Sequence, residues 1–150
     1  MLLYDSSSLI SLAKSGLLQL LSRVPIEPLI LDVVAEECVE AGLARGHPDA
    51  AAIEEAIAAF PRRMADRGVS ADASVLAAAR GVGTLITNDL ALGRRARNLG
   101  VRWLRTADLV VFATRTSTIG AGAARDAIVA LRDAGRLSHE LAVEYLEELA

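Results

Sequence analysis

One stretch, residues 70–89, constrains the fold more than any other part of the chain. It begins with Ser70, a residue that favours a helix N-cap, and continues as an alanine-rich segment with apolar residues at helical spacing. The Gly-Val-Gly at 81–83 predicts the end of this helix, because glycine enters the left-handed region freely. A short apolar run at 84–87 then fits a buried strand, and Asp89 stands where that strand runs out.

The start of the chain repeats this pattern of a strand followed by an acid. Residues 1–4 form an apolar run, Asp5 follows it, and three serines lead into a helix. If the two strands are parallel neighbours, Asp5 and Asp89 lie side by side at the carboxyl edge of the sheet, where α/β folds bind ligands. Neighbouring carboxylates repel each other unless one is protonated or a cation bridges them. Each aspartate can also be explained as a helix cap, but the repetition favours a metal site.

The remaining elements predict the fold class. Further strands are expected at 29–31 and 101–104, and residues 61–67 are expected to be irregular or a poor edge strand. Helices are predicted to begin near Ser6 or Ser7, Asp32, Asp49, Ser70, Leu90, Thr106, Ala123 and Ser138. Strands that alternate with helices imply a three-layer α/β/α domain with a central parallel sheet, and we expect one domain over residues 1–150.

Composition excludes several classes of protein. No apolar run reaches the ~18–20 residues of a membrane span, and the first residues lack the basic region and cleavage site of a signal peptide, so we expect a cytoplasmic protein without membrane association. Cys38 is the single cysteine, which rules out an internal disulfide and fits a reducing compartment. The formal net charge of −3 argues against a general polyanion-binding surface but allows a local basic patch.

Four acids in a fixed order carry a family resemblance. Asp5 opens an Asp-x-Ser pattern, Glu36 and Glu37 lie on the helix after the second strand, Asp72 begins the alanine-rich helix, and Asp89 follows the strand after it. In this order and spacing the chain resembles the PIN-domain family of metal-dependent ribonucleases, and most of all the small prokaryotic branch that includes VapC-type toxins. The resemblance extends over essentially the whole chain.

The resemblance implies a four-acid Mg²⁺ or Mn²⁺ site that cuts single-stranded or looped RNA. Such cations neutralise charge on the phosphate and activate a water, and carboxylates are their ordinary ligands. Asp5 and Asp89 are the expected principal ligands, and Glu37 and Asp72 would complete the site or help to hold a second ion. Glu37 is preferred to Glu36 because an apolar-like residue follows it in the family pattern. Asp72 stands where that branch has a glutamate, so the third acid has a shorter reach.

Polar residues beside the acids form an expected second layer of the site. Ser7, Thr87 and Asn88 stand next to the two strand-end aspartates. Their side chains could bond a phosphate or a metal-bound water. Capping and turn hydrogen bonds explain the same residues more simply.

A basic cluster follows Asp89. Arg94, Arg95 and Arg97 fall within roughly two helical turns of it and could track an RNA backbone, although solvation of an exposed helix explains them equally well. Aromatic residues make up only 3% of the chain, and Trp103 is expected to be partly exposed on an edge strand, so nothing predicts base-specific readout.

The resemblance also implies partners beyond RNA. Small members of the family pair with an antitoxin protein and form homodimers, and a chain that is 53% hydrophobic can leave an apolar helix face to cover. The alternative function is a catalytically weak PIN-fold module that binds nucleic acid or protein. An aspartyl-phosphate domain is disfavoured, because residue Ser7 stands where that class needs a second acid and the single lysine, Lys14, lies on the first helix.

Overall fold

The secondary structure follows the predicted alternation. A computed structural model of the chain describes residues 1–66 and 69–150. Its strands are β1 (Leu2–Tyr4), β2 (Pro28–Leu31), β3 (Arg62–Arg63), β4 (Thr84–Ile86) and β5 (Arg102–Leu104). Its helices are α1 (Ser6–Lys14), α2 (Leu20–Arg23), α3 (Asp32–Ala35), α4 (Ala41–Ala44), α5 (Ala50–Ile57), α6 (Ala71–Val82), α7 (Leu90–Asn98), α8 (Thr106–Arg115), α9 (Ala121–Asp133) and α10 (His139–Glu148). A π-helical turn (Glu36–Glu40) joins α3 to α4.

The strands form a parallel sheet in the order β3-β2-β1-β4-β5. Helices cover the sheet, so the predicted three-layer α/β/α fold is confirmed. In the centre of the sheet, Leu3 lies opposite Leu29 of β2 and Leu85 of β4. Because β1 and β4 are neighbours, the two aspartates that follow them leave the sheet at the same edge.

The core centres on these middle strands. Leu3, Tyr4, Leu85 and Ile86 are completely buried, as expected for a parallel sheet covered on both faces. Burial raises the pKa of the Tyr4 hydroxyl above its ordinary value. Burial likewise raises the pKa of the Cys38 thiol to about 12, which fits an inert packing residue.

Several predicted helix ends are confirmed, and others differ from the prediction by one or two residues. The Ser70 hydroxyl accepts a hydrogen bond from Ala73 N–H at 3.2 Å, and Ser138 caps α10 in the same way. Gly83, at φ +95°, ends α6, whereas Gly81 remains inside the helix. From the sequence, Thr106 is expected to cap α8, but it is the first residue of that helix and Arg105 takes the cap position.

The helix predicted from Asp32 to about residue 42 is interrupted. It changes to π geometry at Glu36–Glu40, where Ala41 N–H donates to Glu36 C=O five residues back. A π turn adds one residue to the helical path and alters which side chains face the sheet. The predicted helix after the second strand is therefore present and runs to Ala44, with one π turn that the sequence does not signal.

The segment at 61–67 contains the short exposed strand β3, so the poor edge strand is confirmed for Arg62 and Arg63. Arg67 lies outside the described residues. Asp32 ties this segment down, because its Oδ1 accepts from Ala65 N–H at 2.9 Å. In the described ranges, no helix is long and apolar enough to cross a bilayer.

Candidate active site at the carboxyl edge of the sheet

A cavity of about 220 Å³ lies where β1 and β4 end. Its wall contains all four predicted acids, Asp5, Glu37, Asp72 and Asp89. Two serines, apolar side chains and one arginine complete the wall: Ser6, Ser7, Ile10, Val34, Ala71, Val75, Leu92 and Arg136. The structure therefore brings four acids from different parts of the chain to one hollow.

Asp5 is the most enclosed of the four acids, with only 5% of its surface exposed. Its Oδ1 accepts from Ser8 N–H at 3.0 Å and from Ser7 Oγ at 2.9 Å, and its Oδ2 accepts from Thr87 Oγ1 at 2.6 Å. Burial raises the pKa of Asp5, against the opposing effect of these hydrogen bonds. The side chain is thus held in one orientation in a setting that penalises its negative charge.

Asp89 is exposed and lies at the end of the neighbouring strand. Its Oδ1 accepts from Leu92 N–H at 3.1 Å, which makes it the N-cap of α7. Its own N–H donates to Thr87 Oγ1 at 3.0 Å. Both strand-end aspartates therefore cap helices, which confirms the capping explanation, and both also line the cavity.

Glu37 and Asp72 reach the cavity from two helical segments. Glu37 is an exposed residue of the π turn, and it lines the cavity where its neighbour Glu36 does not. Asp72 lies in the first turn of α6. The hydroxyl of Ser74 fixes the start of that helix by donating to Asp66 C=O at 2.7 Å.

The donor chemistry of this cavity fits a divalent cation. Four carboxylates offer the hard oxygen ligands that Mg²⁺ and Mn²⁺ prefer. Across residues 1–66 and 69–150, no three acidic, histidine or cysteine side chains lie close enough together to hold an ion. The acids thus share one cavity without being drawn into a closed ligand set.

The polar residues beside the acids have distinct environments. Ser7 donates to Asp5 and accepts from Asn88 N–H at 3.0 Å, and Thr87 is fully buried beneath the two aspartates. The Asn88 side chain turns to other elements, because its Nδ2 donates to Ser11 Oγ at 2.8 Å and its Oδ1 accepts from Thr106 N–H at 3.0 Å. These contacts match the simpler structural explanation for all three residues.

The α7 arginines lie outside the wall of the acid cavity. All three arginines are exposed, and Arg97 also lies over the ring of Trp103, with its guanidinium carbon 5.2 Å from the ring centroid. Arg105 also lies over this ring, at 4.6 Å. Trp103 is half-buried on the edge strand β5, as predicted, and its Nε1 donates to Thr87 C=O at 3.0 Å.

Sequence reasoning missed Arg136 as a candidate site residue. It follows α9 and is the one cation in the described wall of the acid cavity. Arg136 is 48 residues from Asn88, yet its C=O accepts from Asn88 Nδ2 at 3.4 Å. The only signal in the sequence is the turn that Gly135 and Ser138 predict, which says nothing about the direction of the arginine.

Comparison with known proteins identifies a family. A family model described as a PIN domain matches residues 1–150, a span that contains all four acids and Arg136. Searches of curated proteins and of solved structures found no match.

Proposed function

The chain belongs to the PIN-domain family, and on this basis we propose that it is a Mg²⁺- or Mn²⁺-dependent endoribonuclease that cleaves RNA phosphodiester bonds. PIN domains have a nuclease-type fold. The observation that carries the proposal is the single cavity lined by Asp5, Glu37, Asp72 and Asp89. Their position beyond the ends of neighbouring parallel strands is where α/β folds bind ligands.

The proposed metal ligands are Asp5 and Asp89, with Glu37 and Asp72 completing the site. A cation bound there would supply an activated water and neutralise charge on the phosphate. Asp5 is preorganised for this role, because three protein groups fix its carboxylate and its burial leaves a negative charge without bulk water. Thr87 positions both strand-end acids, and Ser7 supports Asp5 from the side of α1.

RNA contact by the α7 arginines is part of the same proposal. Arg94 and Arg95 are exposed on the helix that Asp89 caps, so they lie one to two turns from the acid cavity. Arg97 is exposed on the same helix, and its guanidinium also lies over the ring of Trp103. Such contacts would carry affinity and not sequence specificity.

The experiment is a gel assay on labelled single-stranded and hairpin RNA with nuclease-free protein. Wild type should cut with Mg²⁺ or Mn²⁺ and stop with a chelator, and Asp89→Asn should abolish cleavage. The amide is nearly isosteric and still caps a helix, so the fold should survive. The matched control is Asp126→Asn, an exposed acid of α9 outside the cavity, which should cut as wild type does. Equal cleavage by wild type and Asp89→Asn would contradict the proposal.

A second candidate is a catalytically weak PIN-fold module that binds nucleic acid or protein. The observation that favours it is the absence of a closed ligand set among the described residues. This candidate predicts that wild type binds single-stranded RNA without cutting it in either cation. Binding and cleavage measured on one oligonucleotide separate the two candidates.

A homodimer, an antitoxin partner and a cytoplasmic location are further proposals that rest on the family resemblance. Light scattering at micromolar concentration tests the homodimer. Copurification with the product of the adjacent reading frame tests the antitoxin, and fractionation of cells tests the location.

A further inference from the structure

Arg136 is a cation placed among acids. It is half-buried in the wall of the cavity that Asp5, Glu37, Asp72 and Asp89 line. Its guanidinium forms no hydrogen bond or ion pair with any residue in the described ranges. An arginine among acids ordinarily pairs with a carboxylate. Because Arg136 forms no such pair within the described ranges, its guanidinium is available to a ligand.

The backbone of Arg136 is fixed to the strand end that carries Asp89. Its N–H donates to Leu131 C=O at 2.9 Å, and its C=O accepts from the side chain of Asn88, the residue before Asp89. The next residue, Leu137, is buried. The positions of the arginine and of the acid are thus set by one connected unit, and the arginine side chain can be removed without breaking these backbone bonds.

The chemistry of the two groups is complementary. Carboxylates on one side of a cavity suit cations, and a planar guanidinium binds two oxygens of one phosphate. Hydrolysis of a phosphodiester builds negative charge on the phosphate oxygens, and a preplaced donor stabilises that charge. We propose that Arg136 is a catalytic residue that binds the scissile phosphate of an RNA strand. This inference rests on the proposed ribonuclease function.

A second cavity, of about 340 Å³, lies beside the acid cavity and gives the strand room to continue. It shares Ile10, Glu37 and Arg136 with the acid cavity, so the two hollows adjoin at the arginine. Its wall also contains Lys14 and Arg45. Lys14 pairs with Asp49 at 2.9 Å, whereas Arg45 is exposed and makes no ion pair among the described residues. Arg45 is therefore the contact for the neighbouring phosphate.

The test compares Arg136→Ala and Arg136→Lys with a matched control. The control is Arg132→Ala, one turn earlier near the end of α9, where the side chain pairs with Asp133. We expect Arg136→Ala to lower kcat about 100-fold, as loss of a transition-state donor does, and Arg136→Lys to restore part of it. Arg45→Ala should raise KM and leave kcat unchanged, because its contact lies away from the reacting bond.

A binding measurement keeps the inference testable whatever the cleavage assay shows. The measurement is fluorescence anisotropy of a labelled single-stranded RNA in Mg²⁺, with the Asp89→Asn variant as the reference. Introducing Arg136→Ala into this variant should weaken RNA binding and reduce the salt slope of binding by about 1. Calorimetry should show that Mn²⁺ binds more tightly to the Arg136→Ala variant than to wild type, because the substitution removes a positive charge from the cavity. A merely structural role for Arg136 predicts no such increase in Mn²⁺ affinity.

The experiments distinguish failure of the proposed Arg136 role from failure of the ribonuclease proposal. If wild type cuts RNA and Arg136→Ala cuts and binds as Arg132→Ala does, Arg136 has no phosphate role and the ribonuclease proposal stands. If wild type cuts no RNA, the ribonuclease proposal fails. The anisotropy comparison then decides on Arg136 by itself: equal affinities overturn its role, and weaker binding by Arg136→Ala supports it.

Discussion

The hydroxyl of Thr87 donates a 2.6 Å hydrogen bond to Oδ2 of Asp5 across the boundary between β4 and β1. The Thr87 hydroxyl oxygen in turn accepts from Asp89 N–H at 3.0 Å. Thr87 is fully buried, so water cannot replace either bond. One hydroxyl therefore fixes the relative positions of two acids that lie 84 residues apart in the sequence.

Replacing Thr87 by valine should destabilise the protein. The isosteric side chain keeps the packing but leaves the buried carboxylate of Asp5 without one donor, at a cost of about 1–3 kcal/mol in the free energy of unfolding. Urea denaturation measures this change. Thr87→Ser retains the hydroxyl and should lose less stability. A valine variant as stable as wild type would show that the bond contributes nothing.

The stability of the protein without divalent cations should depend on the ionisation of Asp5. Burial raises its pKa in the folded state above the value of the unfolded chain. Folding therefore favours the protonated carboxyl group of Asp5. The stability that this preference contributes is complete below about pH 4 and is lost as pH rises through the raised pKa of Asp5. Asp5→Asn removes this loss, and its stability relative to wild type should increase with pH. A difference that is constant from pH 4 to pH 8 in chelator would contradict this.

Glutamine substitutions should separate Glu37 from Glu36. Only Glu37 lines the acid cavity, so Glu37→Gln should lower the cleavage rate by at least about tenfold and weaken Mn²⁺ binding. Glu36→Gln changes the same charge one residue away on the same π turn and should cut as wild type does. Single-turnover cleavage at saturating RNA measures both. The reverse result would assign the ligand to Glu36.

Alanine substitutions at Arg95 and Arg97 of α7 should have different measurable effects. Arg95→Ala removes an exposed charge and should reduce the salt slope of RNA binding by about 1, with Mn²⁺ binding unchanged. Arg97→Ala removes a guanidinium from the ring of Trp103 and should shift its fluorescence, which is readily assigned because the chain has a single tryptophan. Identical salt slopes for wild type and Arg95→Ala would remove α7 from the RNA-binding surface.

Replacing Gly93 and replacing Gly81 by alanine should change the stability of the protein in opposite directions. A Cβ at Gly93 would lie 2.0 Å from Trp103, so Gly93→Ala should cost about 1–3 kcal/mol through overpacking. A Cβ at Gly81 meets no atom within 4 Å inside α6, so Gly81→Ala should stabilise by about 0.5–1 kcal/mol. Thermal unfolding of both variants checks this. Equal shifts would contradict the close contact between α7 and the indole.

The central strands and the strand-end aspartates could be predicted because their signals are local. An apolar run bounded by turn residues specifies β1 and β4, and Asp5 and Asp89 stand directly after them. The order of strands and helices then implies a parallel sheet, which puts both acids at one edge.

The rest depends on contacts that no local pattern encodes. The π turn at Glu36–Glu40 has the composition of an ordinary α-helix, and the residue that it inserts is accommodated only by packing around it. Arg136 reaches the acid cavity because the loop after α9 docks on Asn88, a contact between distant parts of the sequence. β3 has only two residues, too few for a periodic signal.

Arginine at both open edges of the sheet has a consequence for self-assembly. The outer strand on one side consists of Arg62 and Arg63, both exposed, and β5 on the other side begins with exposed Arg102. Charged side chains on short edge strands hinder the addition of a strand from another molecule, the first step in edge-to-edge aggregation. Pairing of two copies through the edges of their sheets is therefore disfavoured, and a largely apolar sequence is hindered from growing into a continuous β-structure.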